Sequence, residues 1–242
     1  MLRYQLLGTV ILTGALVVAS QAQGLRGVVN QDAEKNAPNV AEAEPVMDDD
    51  GGRVFIVRRN DGDSIDSFRY HGGTVISEPR QYNIFLGDAW TQPRLQGQET
   101  GLANLLSKGE FANDQPALEK YGVRNRFLPS ASQEQPFDFS TDQTISDLRI
   151  HSLMETWFRA GKLAQPDPST IYVLFLPPGV SSKLGTMFGG KHFAAYHNFF
   201  NAEPGEIHYV VVPYDSDVKI SRQAAARALL RATLNPRGDG WY

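Results

Sequence analysis

Residues 53 to 242 predict an α/β (α+β) domain, a single mixed β-sheet packed by helices. Three observations carry that expectation. Thr170-Ile-Tyr-Val-Leu-Phe-Leu176 and Glu206-Ile-His-Tyr-Val-Val-Val212 are near-continuous apolar runs, as in strands buried on both faces. Thr144 to Ala160 places Ile150, Leu153, Met154, Trp157 and Phe158 at helical spacing, and Gly161 ends the pattern. Val218 to Asn235 is the most helix-prone stretch, rich in Ala, Leu, Arg and Gln with no internal Gly or Pro.

Met1 to Ala22 predicts a secretory signal peptide. Arg3 supplies the positive start, Leu6 to Ala19 the apolar run, and Ser20-Gln-Ala22 the small residues read at cleavage. The run falls short of the roughly 20 apolar residues of a transmembrane helix. An uncleaved N-terminal anchor is the alternative. The expectation is export, periplasmic or secreted, with no membrane span after signal cleavage. The chain has no Cys, which removes a lipidation thiol, a disulfide framework and thiolate metal ligands. Residues 23 to 52 are acidic and free of aromatics, so they bury too little to offset the entropy of ordering and predict a disordered linker. The formal net charge of −4 and pI near 5.7 give no reason to expect nucleic acid. The partner expected is an extracytoplasmic ligand or envelope component.

Along the domain, Val54 to Val57 predicts a short strand, Phe68 to Gly73 a tight loop, and Gln81 to Leu86 a strand ending at Gly87. Leu102 to Lys108 and Gln115 to Tyr121 predict short helices, the second capped by Gly122. Pro129 to Asp142 reads as a polar loop. Phe193 to Phe200 reads as a further strand before Glu206 to Val212. In the terminal helix, Ser221 is the expected N-cap and Asn235-Pro236 the stop. Ala224, Ala225, Ala228, Leu229 and Ala232 share a face of small residues suited to close packing on a sheet.

Several motifs fail on inspection. Asp61-Gly-Asp63-Ser-Ile-Asp66 lacks the third oxygen ligand, the Gly and the distal Glu of a calcium loop, and reads as a turn. Gly185-Thr-Met-Phe-Gly-Gly190-Lys191 has His192 where a phosphate-binding loop needs Ser or Thr, and no convincing helix follows. No Gly-x-Ser-x-Gly elbow occurs. The carboxylates offer no basis for choosing a catalytic pair. His192, His197 and His208 could converge on zinc if their segments are neighbours. Residues 192 and 197 point to opposite sides of one unbroken strand, so that site needs a bulge or loop. Scattered structural histidines are the default. Arg227 and Arg231 lie one turn apart, but a guanidinium has no lone pair for a metal.

The order of segments resembles the phosphate-induced protein 1, or EXORDIUM-like, family. The pieces are Tyr70-His-Gly-Gly73, Tyr82-Asn-Ile-Phe-Leu-Gly-Asp-Ala-Trp90 and Leu118-Glu-Lys-Tyr-Gly-Val123. They continue with Gly161-Lys-Leu, Pro166-Asp-Pro, Ile171 to Val180, Ala195-Tyr-His197, Tyr209 to Tyr214, and Asn235-Pro-Arg-Gly-Asp-Gly-Trp-Tyr242. The resemblance spans most of residues 68 to 242 and implies a zincin-like fold. In such relatives the last helix carries His-Glu-Leu-Ala-Glu, two ligands one turn apart and a base between. Here those positions are Arg227, Ala228 and Arg231, and a Cys expected before Tyr196-His197 is Ala195. The resemblance therefore implies a pseudoenzyme with no metal and no catalytic residue. Its candidate binding cleft comprises Tyr196, His197, Arg227, Arg231 and Trp241. The alternative is a zinc-dependent hydrolase with a displaced site at His192, His197 or His208.

Overall fold

In the computed structural model the described residues are 46–47, 53–58, 68–103, 105, 115–124, 128–139 and 143–241. The expected signal peptide, the turn at 61–66 and most of the expected linker lie outside them. The chain runs β1 (Val46–Met47), β2 (Arg53–Val57), β3 (Arg80–Leu86), a 3-10 turn (Asp88–Thr91), α1 (Pro93–Leu102), α2 (Gln115–Lys120) and β4 (Leu128–Gln135). It continues with β5 (Thr144–Ser146), α3 (Asp147–Arg159), β6 (Thr170–Phe175), β7 (Ser181–Leu184) and β8 (Met187–Phe188). The last elements are β9 (Ala195–Ala202), β10 (Gly205–Val212) and α4 (Val218–Leu234).

Seven strands form one mixed sheet in the order β1-β2-β9-β10-β6-β3-β4. Its centre is parallel: β10 pairs with β6, β6 with β3 and β3 with β4. The β9–β10 hairpin and the β2 and β1 pairings are antiparallel. β5, β7 and β8 make a small second sheet. The apolar run of β6 is buried at every position, as its composition requires of a central strand covered on both faces. On one face Ile171, Val173, Val210 and Val212 meet the Ala face of α4. On the other, Tyr172, Leu174, Tyr196, Tyr209 and Val211 meet Ile150, Met154, Trp157 and Phe158 of α3.

The structure corrects five local expectations. The stretch Pro129 to Asp142 contains strand β4 rather than a loop throughout. Side-chain amides replace the missing apolar alternation: Asn83 Nδ2 donates to Ser132 Oγ at 3.0 Å and Tyr82 Oη to Gln133 Oε1 at 2.9 Å. Of the helix expected over Leu102 to Lys108, residues 104 and 106–108 lie outside the described residues; the helix seen here starts at Pro93, whose missing N–H costs nothing in a first turn, and ends at Leu102. The helix expected from Thr144 begins at Asp147. Thr144–Ser146 pairs with β7, and the Ser146 hydroxyl caps the helix by accepting from the Arg149 N–H. In α4 the cap is Asp217, accepting from the Lys219 N–H at 2.9 Å, while Ser221 is buried one turn inside. Val46–Met47, expected in the linker, pairs with β2 at the sheet edge. Gly122 does end α2 in the left-handed region, at φ 88°. Among the described residues no helix is long and apolar enough to cross a membrane.

Candidate functional site

Strand parity decides which candidate residues meet. His197 stands opposite Val210, and His208 opposite Phe199, so the two histidines share the α4 face. Tyr196 is the next residue along β9 and points to the α3 face. The expected cleft is thus divided: Tyr196 is on the far side of the sheet from His197, because neighbours in a strand alternate.

On the α4 face, His197 is 1% exposed and stacks on Phe55, with ring centroids 5.1 Å apart. Among the described residues neither ring nitrogen has a hydrogen-bond partner. Burial, the Arg231 guanidinium and His208 push its pKa down to about 3, so the ring is neutral. Arg231 donates from Nη1 to the Ile56 carbonyl, which ties α4 to β2. Arg227, one turn earlier, is half-buried. His208 lies 3.0 Å from the Glu206 carboxylate, which also takes Arg237 at 2.8 Å. Burial holds His208 below its ordinary value, although Glu206 opposes that shift. Helix packing is close, and the space under the start of α4, bounded by Ala194, Pro213, Ser221 and Ala224, amounts to about 10 Å³. That is room for about one water.

His192 does not join the other two histidines. It sits in the turn after β8, is exposed, and its Nδ1 accepts from the Phe188 N–H at 2.8 Å. Of the alternative candidates His192, His197 and His208, two share one face of the sheet and the third lies in a local turn. Among the described residues no three His, Asp or Glu side chains converge. The surroundings of His197 do not fit zinc, since the charged group acting most strongly on it is a permanent cation, Arg231.

Trp241 pairs through its backbone with Tyr70 and packs its ring on Tyr70 and Tyr121, at 4.9 and 4.4 Å. The tail carrying it is anchored backbone to backbone: His71 N–H donates to the Gly240 carbonyl at 2.9 Å, and Trp241 N–H to the Leu234 carbonyl at 2.9 Å. Gly238, at φ 80°, lies so close to Phe55 that an added Cβ would stand 2.6 Å from its ring.

The densest polar cluster is on the α3 face. Asp147, 1% exposed at the first turn of α3, accepts from Tyr196 Oη at 2.7 Å, Tyr209 Oη at 2.7 Å and Asn198 Nδ2 at 3.0 Å. His151 Nε2 lies 3.2 Å from the same carboxylate and 2.6 Å from Tyr209 Oη. Burial alone would push the Asp147 carboxyl up. The bond and charge from His151, with the two phenols, outweigh it and hold the group below its usual 3.8. Burial and Asp147 push the Tyr209 phenol far up, so Tyr209 stays a donor. Both carboxylate oxygens accept, from two phenols and an amide, which makes this cluster an anchor for α3. Reading by sequence missed it. The signal was present in Asp147 and His151, spaced i, i+4 on a helix.

No family model, no curated protein and no solved structure matches the chain.

Proposed function

We propose that the chain is an exported, non-catalytic binding domain, a zincin-like scaffold of the EXORDIUM-like kind whose metal position is filled by guanidinium. Met1 to Ala22 directs export and is cleaved, and the mature domain binds an extracytoplasmic ligand or envelope component. The observation that carries this reading is the position of Arg231. On the helix turn where the resemblance implies a zinc ligand, a fixed cation holds the Ile56 carbonyl and helps keep the buried His197 neutral. A divalent ion placed there would meet a guanidinium with no lone pair, and Ala228 supplies no base.

One observation favours the alternative of a zinc hydrolase: among the described residues both nitrogens of His197 lack partners, as a ligand awaiting a metal would. Zinc analysis of the purified chain by mass spectrometry separates the two. The proposal expects no stoichiometric zinc and no change on His197→Ala. One zinc per chain, lost in that variant, refutes it. Intact mass of the exported protein tests the localisation, with Gln23 expected as its first residue.

A further inference from the structure

We propose that the outer edge of β4 takes an added β-strand from a partner, an extended peptide carrying a Lys or Arg that faces Glu99 and Glu134. None of these residues belongs to the α4 site, so the inference stands apart from the zinc question.

β4 ends the sheet on one side. It pairs with β3, and among the described residues no strand pairs with its other side. The ladder is regular from Ala131 to Gln135. In a parallel ladder a residue sends its N–H and its carbonyl to the same neighbour, and the next residue sends both the other way. The Gly87 N–H donates to the Gln135 carbonyl at 2.9 Å, so Gln135, Gln133 and Ala131 face β3. Ser132 and Glu134 therefore turn their backbone groups outward. Ala131, Ser132 and Glu134 are exposed, and the first two are too small to screen the backbone. The opposite edge of the sheet is closed. There β1 pairs with β2 at Arg53 and Val54, and Arg231 Nη1 donates to the next outward carbonyl, that of Ile56. Outward donors and acceptors on an exposed strand are what strand addition uses.

The side chains beside the edge select the occupant. Glu134 stands level with Phe85 of β3, whose ring lies in the core on the α1 face. Glu99 of α1 feels that carboxylate: burial first, then Glu134, hold the Glu99 carboxyl above its ordinary value. Among the described residues neither Glu99 nor Glu134 has an ion-pair partner. In an added strand, the residue opposite Glu134 shows its side chain on the same face. A Lys or Arg there meets both carboxylates, whereas an acid there adds a third. A second copy of this chain would bring its own Glu134 to the edge, which disfavours self-pairing.

The test uses the full mature chain and two labelled, end-blocked peptides, Thr-Val-Thr-Lys-Thr-Val-Thr and Thr-Val-Thr-Glu-Thr-Val-Thr, followed by fluorescence anisotropy. The Lys peptide should bind saturably below about 1 mM and about three- to tenfold more tightly than the Glu peptide. Amide exchange should slow at Ser132 and Glu134 when it binds. Glu99→Gln with Glu134→Gln should bring the two peptides within about twofold of each other. Ser132→Pro removes an outward N–H while sparing the bonds to β3, and should weaken binding at least about fivefold. Circular dichroism checks that the variants fold. Absence of saturable binding of the Lys peptide overturns the proposal. So does equal affinity for the two peptides, unchanged binding in Ser132→Pro, or sedimentation showing a dimer that Ser132→Pro dissociates.

Discussion

Replacing Asp147 with Asn keeps the size and burial of the side chain but changes what it can accept. One oxygen remains for Tyr196 and Tyr209. The other position becomes an amide facing two donors, Asn198 Nδ2 at 3.0 Å and His151 Nε2 at 3.2 Å. Asn198 has little freedom to reverse, since its own oxygen accepts from the Phe199 N–H at 2.8 Å. Bonds to a charged group contribute about 1.5–3 kcal/mol each, and partial relaxation recovers some of that, so Asp147→Asn should cost about 2–4 kcal/mol. For a domain of this size the midpoint should fall by about 5–15 °C. Urea titration followed by circular dichroism and Trp157 emission reads the loss. The pH dependence has a definite sign. A carboxyl held below 3.8 in the folded chain stabilises fully above that value and loses its contribution as pH falls through the folded pKa. The gap between wild type and variant should therefore be constant near neutrality and close below about pH 3.8. A cost under about 0.5 kcal/mol at neutral pH would refute the anchoring role.

His197→Phe removes two unpartnered buried nitrogens and keeps the stack on Phe55, so it should be neutral or stabilising by about 1 kcal/mol in urea melts at pH 7. Because His197 titrates at about 3 folded and 6.5 unfolded, the wild type should lose stability as pH drops from 6.5 toward 3, and the variant should lose less. Arg231→Met removes a charge that opposes His197 protonation, and an NMR titration should show the His197 pKa rising from its depressed value. Gly238→Ala forces a Cβ against Phe55 at a positive φ and should cost about 2–3 kcal/mol, read as a lowered melting midpoint.

The elements that were legible in the sequence are those whose burial is written in composition. The apolar runs of β6 and β10 and the small-residue face of α4 can hardly fold otherwise. Strand β4 was not legible, because its side chains meet β3 through polar pairs, Ser132 with Asn83 and Gln133 with Tyr82, and such residues carry no apolar period. Helix α1 was hidden for a similar reason: Gly97 and Gly101 interrupt it, and only Leu95 and Leu102 are buried.

The site was harder to read than the fold because sequence adjacency misleads within a strand. Tyr196 and His197 are consecutive, and that places them on opposite faces of the sheet. Tyr196 therefore belongs with Tyr209, which shares its face and holds the same carboxylate, Asp147, on α3. His197 belongs with Arg231, contributed from far along the chain by α4. The two groups have opposite polar economies. Asp147 is surrounded by donors that fit its charge, whereas His197 has no partner at either nitrogen among the described residues and is kept neutral beside a cation. A buried carboxylate met by donors anchors structure, whereas a buried imidazole that meets none loses the hydrogen bonds it makes to water in the unfolded chain and gains nothing in return. The stability to be gained by substitution therefore lies at His197 under α4, and the stability to be lost lies at Asp147.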